Sequence, residues 1–290
     1  MEICKNYIKN NFKVLKNVFL KYCAVIFPLL EVITIFISLE DLGFKNKHTK
    51  ILFFSIILIF GVIISVICIC LRKKKQIFGD TSNGCYISYG NIIESAFNNK
   101  NSKEKIIVIH VNRCFDLSCE NNLIRKDSIH GQFLQKFIHN DEERNKLHNY
   151  IENDLKNRNI DFDTLKRHDK KHGYLKRYPA GTVVKVAGEN NVIFYLLALS
   201  QLDNNLKAKC TELEFYKALS ELLNYYDSHG QGVDLYCSVM GDKIVSPHKK
   251  TKEIIDFMVS VFKFNKNTIR GNINLVVYEK LKSEISILDY

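Results

Sequence analysis

One uninterrupted apolar stretch, Ile51 to Leu71, constrains the fold of this chain more than any other feature of its sequence. It contains 21 residues without a charge, and four cations, Arg72 to Lys75, follow at once. A helix that crosses a bilayer core of roughly 30 Å needs about 20 apolar residues. A core helix of a soluble protein usually keeps one polar face. The stretch therefore predicts a membrane-spanning helix.

A second apolar run, from about Val18 to Leu39, predicts another span upstream. It contains Lys21, which can extend to the interface, and Pro28, which a spanning helix tolerates as a kink. Glu31 lies near its middle, where an ionisable group costs roughly 3 kcal/mol on insertion scales. Two hypotheses stay open for Glu31: it faces other protein or a pore, or it is a protonated side chain without a function.

The link between the two runs, residues 40–50, is short, so the spans are predicted to form a helical hairpin. Basic residues precede the first span and follow the second, which by the positive-inside rule places both termini in the cytoplasm. We therefore predict three regions: a membrane region over residues 1–75, a linker with the first elements over 76–105, and one soluble domain over 106–290.

The positive charge of the chain belongs mainly to the membrane flanks. The whole sequence carries +11, and its first 75 residues account for +8, with 12 Lys and Arg against 4 Asp and Glu. The remaining part is nearly balanced, so its charge does not predict binding to nucleic acid.

The nine cysteines form no CxxC pair, and they do not supply two pairs at the spacing of metal ligands. This pattern indicates reduced, mostly structural thiols in a cytoplasmic protein and predicts no metal site.

Beyond the spans, apolar strands alternate with helical segments, which predicts an α/β domain with helices on both faces of a sheet. The predicted strands cover residues 106–111, 183–186, 192–200, 233–239 and 273–278. The predicted helices cover residues 133–138, 142–170, 211–227 and 248–264. Thr211 and Glu214 have the spacing of a capping box at the start of the third helix.

Polar residues follow the buried strand 106–111 directly. Asn112, Arg113 and Asp116 open the next loop, and in open α/β sheets ligands bind beyond the carboxyl ends of the strands. These side chains are therefore either ligand contacts or ordinary turn residues, because Asn and Asp also stabilise turns.

The start of the predicted helix 133–138 is a second candidate. Asp127 or Ser128 can cap this helix, and its backbone N–H groups and positive dipole end suit a phosphate. Ser128, His130 and Gly131 therefore belong either to a phosphate site or to an ordinary helix cap.

Gly181 and Thr182 precede the strand 183–186 and are candidates for a phosphate or ribose contact. The sequence contains no GxGxxG, P-loop, GxSxG or HExxH motif. Their absence argues against a dinucleotide-dependent dehydrogenase, an NTPase and the familiar hydrolases.

Six ordered segments resemble a known family: VNRCFD, SIHGQF, RYPAGTVVKV, FYLLALSQLDNNLKAKC, YDSHGQG and SVMGDKIVS. Together with the two spans they resemble the macro-domain effector of Thoeris anti-phage defence, in the type with two transmembrane helices. The resemblance covers about residues 106–278. It implies a macro-like three-layer α/β domain with a mixed central sheet, preceded by a transmembrane hairpin.

The resemblance also implies a function. A partner TIR-domain protein converts NAD into an ADP-ribose-derived signal, similar to ADP-ribose joined to histidine. The macro-like domain binds this signal, and the membrane part, as a homo-oligomer, then disrupts the lipid bilayer of the bacterial inner membrane. Such a chain is a receptor and not an enzyme, and it needs no cofactor beyond its ligand.

Family positions also imply which residues bind the ligand. They are Asn112, Arg113 and Asp116 after the first buried strand, Ser128, His130 and Gly131 in the first phosphate loop, Gly181 and Thr182 in the middle, and Gly241, Asp242, Lys243 and Ser246 in the second phosphate loop. The family tends to have GTG-like residues where this chain has Gly241-Asp242-Lys243. A carboxylate beside a diphosphate is repulsive unless Asp242 faces the ribose hydroxyls or the ligand's amino group, or Lys243 offsets its charge.

Two alternatives remain at this point. The first is a membrane-tethered ADP-ribosyl hydrolase in which Asn112 and Asp116 orient a water. The second is an anchoring protein without a small ligand. For the receptor, Gly61 and Ser65 form a small-xxx-small pair that is a candidate for packing spans together on ligand binding.

Overall fold

The computed structural model describes residues 2–97, 103–230, 232–241 and 250–290. The chain divides into two compact units. We call Met1–Lys75 with Lys280–Tyr290 the membrane unit, and Gln76–Glu279 the sheet unit. Residues 280–290 were predicted to belong to the domain over 106–290, whereas in the structure they pack with the N-terminal helices.

Three helices form most of the membrane unit: α1 (Glu2–Asn10), α2 (Phe12–Phe36) and α3 (Lys47–Leu71). Helices α2 and α3 have 25 residues each and are long and apolar enough to cross a membrane by length and composition. They contain most of the two predicted spans. The side chains of α2 are not buried within the chain, as expected where lipid is the neighbour.

Helices α2 and α3 approach each other closely at Gly61. A Cβ atom at this position would lie 2.4 Å from the ring of Tyr22 on α2. Gly61, Ser65 and Ile69 are the buried residues of α3, and the hydroxyl of Tyr22 donates to the backbone oxygen of Ile57 at 3.2 Å. The small-residue pair is therefore used within the hairpin, which differs from the hypothesis that it packs spans of separate copies.

The C-terminal tail, residues 280–290, is hydrogen bonded to the ends of the N-terminal helices. The Asn10 amide donates to the Ser283 backbone oxygen at 2.9 Å, and Lys282 Nζ donates to the Cys70 oxygen at 3.2 Å. The Ser286 hydroxyl donates to Oδ1 of Asn11, and both side chains are buried. These bonds are the physical reason that the tail belongs to the membrane unit.

The sheet unit is built on one mixed sheet. Its strands are β1 (Lys74–Phe78), β2 (Cys85–Gly90), β3 (Lys105–Asn112), β6 (Val183–Ala187), β7 (Val192–Leu202), β8 (Ala208–Lys209), β9 (Asp234–Ser238) and β10 (Ile273–Tyr278). The order is β1-β2-β10-β9-β3-β7-β6, and β8 also pairs with β7. Strands β2, β10, β9, β3 and β7 run parallel, whereas β6 and β8 are antiparallel to β7. Two short strands, β4 (Asp163–Thr164) and β5 (Lys176–Arg177), pair separately.

Helices cover both faces of the sheet. They are α4 (Ile92–Phe97), α5 (Ile129–Phe137), α6 (Asp141–Asn157), α7 (Glu212–His229) and α8 (Thr251–Phe264). Helices α4, α5 and α6 share one core with Ile107, Ile109 and Val111 of β3. Ile106 and Val108 alternate toward the other face, where α7 packs against β6, β7 and α8. The fold is thus the predicted three-layer α/β arrangement with a mixed sheet.

The five predicted strands are all present, and the capping box at Thr211 and Glu214 begins α7. The predicted helix over residues 142–170 is wrong in its second half, because α6 ends at Asn157. Residues 158–175 instead form loops and the short strand β4. This segment places Lys170, which lies among other charged residues in the sequence, in the protein interior.

Candidate ligand-binding site

The parallel strands end at one edge of the sheet, and most of the described candidate residues lie there. Strand β3 ends at Asn112 and β9 at Ser238, and the two strands pair directly. The backbone N–H of Arg113 donates to the Ser200 oxygen of β7 at 2.7 Å, which holds the loop after β3 at the same edge. In sheets of this type the carboxyl edge is where ligands bind.

A buried hydrogen-bond network holds the loop after β3. The Asn112 amide donates to Oδ2 of Asp116 at 2.8 Å, and Lys170 Nζ donates to the same oxygen at 2.5 Å. The other carboxylate oxygen accepts the backbone N–H of Tyr174 at 2.6 Å. Oδ1 of Asn112 accepts the backbone N–H groups of Cys114 and Asp116. Asp116 and Lys170 are both fully buried.

This network changes the role assigned to Asp116 by the sequence analysis. Both carboxylate oxygens already accept hydrogen bonds, and the side chain has no exposed surface. A buried carboxylate that is paired in this way orients its loop. Asp116 and Asn112 therefore support the loop of the site, while their contact with a ligand or a water stays a prediction.

Arg113 also serves as a support. Its Nε donates to the backbone oxygen of Tyr178 at 2.7 Å, and its Nη1 forms a 2.7 Å salt bridge with Glu214. Glu214 in turn accepts the backbone N–H of Thr211 in the capping box of α7. The guanidinium thus ties the loop after β3 to the start of α7, and it is engaged by protein groups on both sides.

Ser128 caps α5 as the sequence predicts. Its Oγ accepts the backbone N–H of Gly131 at 3.0 Å and donates to the backbone oxygen of Arg125 at 2.6 Å. Gly131 is required by packing, since a Cβ atom there would lie 2.1 Å from that Arg125 oxygen. The first turn of α5 is therefore held in one position, with the positive end of its dipole at the carboxyl edge.

Two buried histidines near this edge are neutral. Burial lowers the pKa of His130 on α5 to about 3, and the nearby His110 adds to the effect, while a hydrogen bond with the Asp116 backbone opposes it. Burial lowers the pKa of His110 on β3 to about 4. Within the described parts of the chain, Nε2 of His130 and Nδ1 of His110 have no hydrogen-bond partner. Buried polar atoms of this kind call for a specific explanation, such as a ligand.

Ser238 is a third such residue, and the sequence analysis did not single it out. It is the last residue of β9 and is 6% exposed, yet its hydroxyl lacks a hydrogen-bond partner among residues 2–97, 103–230, 232–241 and 250–290. By register it faces the same side of the sheet as Ile109, which is the side that α5 covers. It lies three residues before Gly241, where the predicted second phosphate loop begins.

Gly181 and Thr182 are engaged by the protein itself. Gly181 has a φ of +92°, and a Cβ atom there would lie 2.7 Å from Cβ of Glu221 on α7. The Thr182 hydroxyl donates to the backbone oxygen of Pro179 at 2.8 Å. Helix packing and turn geometry thus account for both residues, at the same edge of the sheet.

Only part of the second phosphate loop can be placed. Gly241 is buried with a φ of +82°, a left-handed conformation that favours glycine. Asp242, Lys243 and Ser246 lie outside the described residues.

Lys170 is the main structural residue that the sequence analysis missed. It sits in a strongly charged segment, and the partner that explains its burial is Asp116, 54 residues earlier. Ser238 carried one available signal, since it lies near the end of a predicted strand just before a glycine loop.

Comparison with known families adds the deciding observation. The profile of the family described as Thoeris protein ThsA, Macro domain, matches residues 86–278, about two thirds of the chain. The chain belongs to this family. The match runs from the start of β2 to the last residue of β10, so the Thoeris ThsA macro domain spans the parallel core of the sheet and both helical layers.

Several solved structures match this chain at low sequence identity. An Oceanobacillus iheyensis macrodomain mutant with ADPR shares 12% identity, with a TM-score of 0.46 over 72% of this chain and 92% of that chain. The Oceanobacillus iheyensis macrodomain with ADP shares 12% identity, with a TM-score of 0.45 over 73% of this chain and 93% of that chain. A protein from Bacteroides thetaiotaomicron shares 12% identity, with a TM-score of 0.33 over 66% of this chain and 97% of that chain. Because these TM-scores are below 0.5, the family assignment rests on the profile match alone. Comparison with curated proteins gave no match.

Proposed function

We propose that this chain is a membrane-anchored anti-phage defence effector whose ThsA macro domain binds an ADP-ribose-derived signal. The observation that carries the proposal is the family match over residues 86–278 in a chain that also has two candidate membrane-spanning helices. A binding domain and an anchor in one chain are what a ligand-gated membrane effector requires.

The proposed site is the carboxyl edge of the sheet, with the ligand's diphosphate between the first turn of α5 and the loop that begins at Gly241. The helix dipole, the fixed position of Ser128 and the left-handed Gly241 support this placement. Ser238 and His130 each have a buried polar atom without a partner in the described chain, and a polar ligand would supply one. Asp242, Lys243 and Ser246 are proposed to complete the second phosphate loop.

The proposed signal is histidine-linked ADP-ribose made by a partner TIR-domain protein. The partner acts only through this small molecule, so the proposal needs no protein interface between the two. Both termini are proposed to lie in the cytoplasm of a bacterial cell, with α2 and α3 as a two-span anchor in the inner membrane.

Signal transmission is proposed to use both chain connections between the units. One connection follows Lys75, and the other joins the end of β10 to the tail that begins at Lys280. Strand β10 ends at the carboxyl edge, and the tail is bonded to Asn10 and Cys70 at the ends of helices. Ligand binding is proposed to shift this tail and to promote assembly of several copies, which then disrupts the membrane.

We propose a receptor and not a hydrolase. The hydrolase hypothesis relied on Asn112 and Asp116 to orient a water, and the buried pair with Lys170 occupies the Asp116 carboxylate. The binding experiment also tests for turnover, because the ligand is analysed for hydrolysis in the same sample.

The test is calorimetric titration of the full chain in lipid nanodiscs with ADP-ribose, histidine-linked ADP-ribose and NAD, followed by chromatography of the mixture. The proposal predicts tight binding of the conjugate, weak binding of NAD and unchanged ligand afterwards. Absence of binding to all three would overturn the receptor, and a hydrolysed conjugate would replace it with the enzyme.

A further inference from the structure

The membrane unit contains a cavity of about 490 Å³ that the proposed signal site does not use. Its walls come from α2, the end of α3, the residues that follow α3 and the C-terminal tail. A volume of this size falls in the range of small-molecule sites in proteins, roughly 300–1,000 Å³.

Three cations line this cavity: Lys21 on α2, and Arg72 and Lys75 after the end of α3. No carboxylate is among its described lining residues. Neither Lys21 nor Arg72 forms a salt bridge within the part of the chain that the structure describes. The cavity wall therefore concentrates positive charge, and the nearest carboxylate known to act on it, Asp289, is not among the lining residues.

Lys75 shows the consequence of this arrangement. Its pKa is lowered from the usual value, first by burial and then by the charge of Arg72, while Asp289 acts in the opposite direction. Its Nζ donates to the backbone oxygen of Leu288 at 2.7 Å, which fixes the ammonium group at the wall of the cavity. A bound anion would relieve the repulsion between the two cations.

Apart from Asn17 the remaining walls are apolar, and their position along α2 and α3 indicates at which level of a membrane the cavity lies. Val18 on α2, Ile69 on α3 and Leu288 of the tail line the cavity beside the cations. Arg72 directly follows the last residue of α3, after a 21-residue stretch without charge. The cavity therefore lies where the apolar part of the hairpin ends, which is the level of lipid headgroups.

We propose that this cavity binds the headgroup phosphate of an anionic phospholipid, with Lys21, Arg72 and Lys75 around the phosphate and the apolar wall against the glycerol and first acyl carbons. Arg72 presents a planar guanidinium that can hold two phosphate oxygens at once. Basic pockets beside spanning helices on the cytoplasmic side recognise anionic headgroups by this chemistry. A free phosphate would satisfy the cations but would leave the apolar wall exposed to water.

The test compares lipid retention by the full chain purified from mixed phosphatidylcholine and phosphatidylglycerol vesicles, measured by native mass spectrometry. We expect preferential retention of phosphatidylglycerol, about fivefold weaker retention in Arg72→Gln, and loss in Lys21→Gln/Arg72→Gln/Lys75→Gln. Lys73→Gln is the matched control, because Lys73 is adjacent in sequence but does not line the cavity, and it should retain lipid normally. Helix content by circular dichroism checks that each variant is folded.

Three results would overturn the proposal. They are equal retention of the two lipids, retention unchanged in Arg72→Gln, and equal weakening in Lys73→Gln. A separate arm adds inorganic phosphate to the chain in neutral detergent, where thermal stabilisation equal to that by phosphatidylglycerol would indicate a free-anion site instead. None of these readouts depends on the ADP-ribose-derived signal.

Discussion

Asp116 and Lys170 form a salt bridge of 2.5 Å in which neither side chain is more than 1% exposed. The pair joins the loop after β3 to the segment between α6 and β5, and the Tyr174 backbone binds both partners. Removing one member of such a pair leaves an uncompensated charge in the interior, whereas removing both does not.

Lys170→Met is therefore expected to destabilise the sheet unit by about 3–5 kcal/mol. Urea unfolding of the full chain in detergent, followed by tyrosine fluorescence, measures the loss. The exposed neighbour Lys171 supplies the control, since Lys171→Met should leave stability nearly unchanged. The double variant Asp116→Asn/Lys170→Met should be more stable than Lys170→Met alone, and additive losses would contradict the buried pair.

The neutral histidines predict a loss of stability in mild acid. In the folded chain the pKa of His130 is about 3 and that of His110 about 4, whereas an unfolded histidine titrates near 6.5. Below that pH the unfolded chain binds protons that the folded chain does not. Stability is therefore complete above about pH 6.5 and falls as the pH decreases toward 4, by up to about 1.4 kcal/mol per unit for each histidine.

Urea unfolding at several pH values measures this slope. His130→Gln should reduce the slope of stability against pH by the contribution of about one titrating histidine relative to the wild type. An unchanged slope in His130→Gln would mean that folding does not lower the pKa of this imidazole.

Gly131 is predicted to be irreplaceable for a steric reason. An alanine Cβ would lie 2.1 Å from the Arg125 backbone oxygen, which the Ser128 cap also uses. Gly131→Ala should cost about 1–3 kcal/mol because the first turn of α5 must shift. At Gly90 an added Cβ makes an ordinary 3.6 Å contact with Val276, so Gly90→Ala should change the unfolding free energy by less than about 0.5 kcal/mol. Equal effects in the two variants would contradict this account of α5.

The contact between Gly61 and Tyr22 predicts non-additive mutations in the hairpin. Gly61→Ala places a Cβ atom 2.4 Å from the Tyr22 ring and should destabilise the α2–α3 pair by about 1–3 kcal/mol. The same substitution in a Tyr22→Ala background should cost much less, because the obstructing ring is gone. Thermal unfolding of the four proteins in one detergent measures the coupling, and a zero coupling would argue that the helices do not meet at Gly61.

A substitution at Ser238 is predicted to weaken ligand binding without affecting folding. Its hydroxyl has no partner in the described chain, so Ser238→Ala should leave stability nearly unchanged. If the ligand supplies the missing partner, affinity for histidine-linked ADP-ribose should fall about tenfold. Ser260→Ala on the exposed side of α8 is the matched control. Unchanged affinity in Ser238→Ala would remove Ser238 from the proposed site.

Local patterns in the sequence predicted the parts of the fold that are determined locally. Thr211 and Glu214 are three residues apart and form their capping box wherever α7 packs, so the start of this helix could be predicted. The apolar run of β3 likewise required burial on both faces.

Contacts between distant segments could not be predicted in this way. Lys170 lies among exposed charges in the sequence, and only its partner 54 residues away makes its burial favourable. The tail shows the same limit, because Ser286 meets Asn11 across 275 residues. For the proposed site, the sequence placed the candidate residues at the carboxyl edge of the sheet, but it could not distinguish Asp116, which supports the loop, from Ser238, whose hydroxyl is unpartnered in the described chain.

In the proposed function, a small ADP-ribose-derived signal causes this one chain to open or disrupt a membrane. The most direct test reconstitutes the full chain in liposomes loaded with a fluorescent dye and adds histidine-linked ADP-ribose to the side that carries the sheet unit. The account predicts dye release that requires both the conjugate and the protein, is absent with NAD, and is weakened in Ser238→Ala. Intact liposomes at a concentration of conjugate that saturates binding would contradict it.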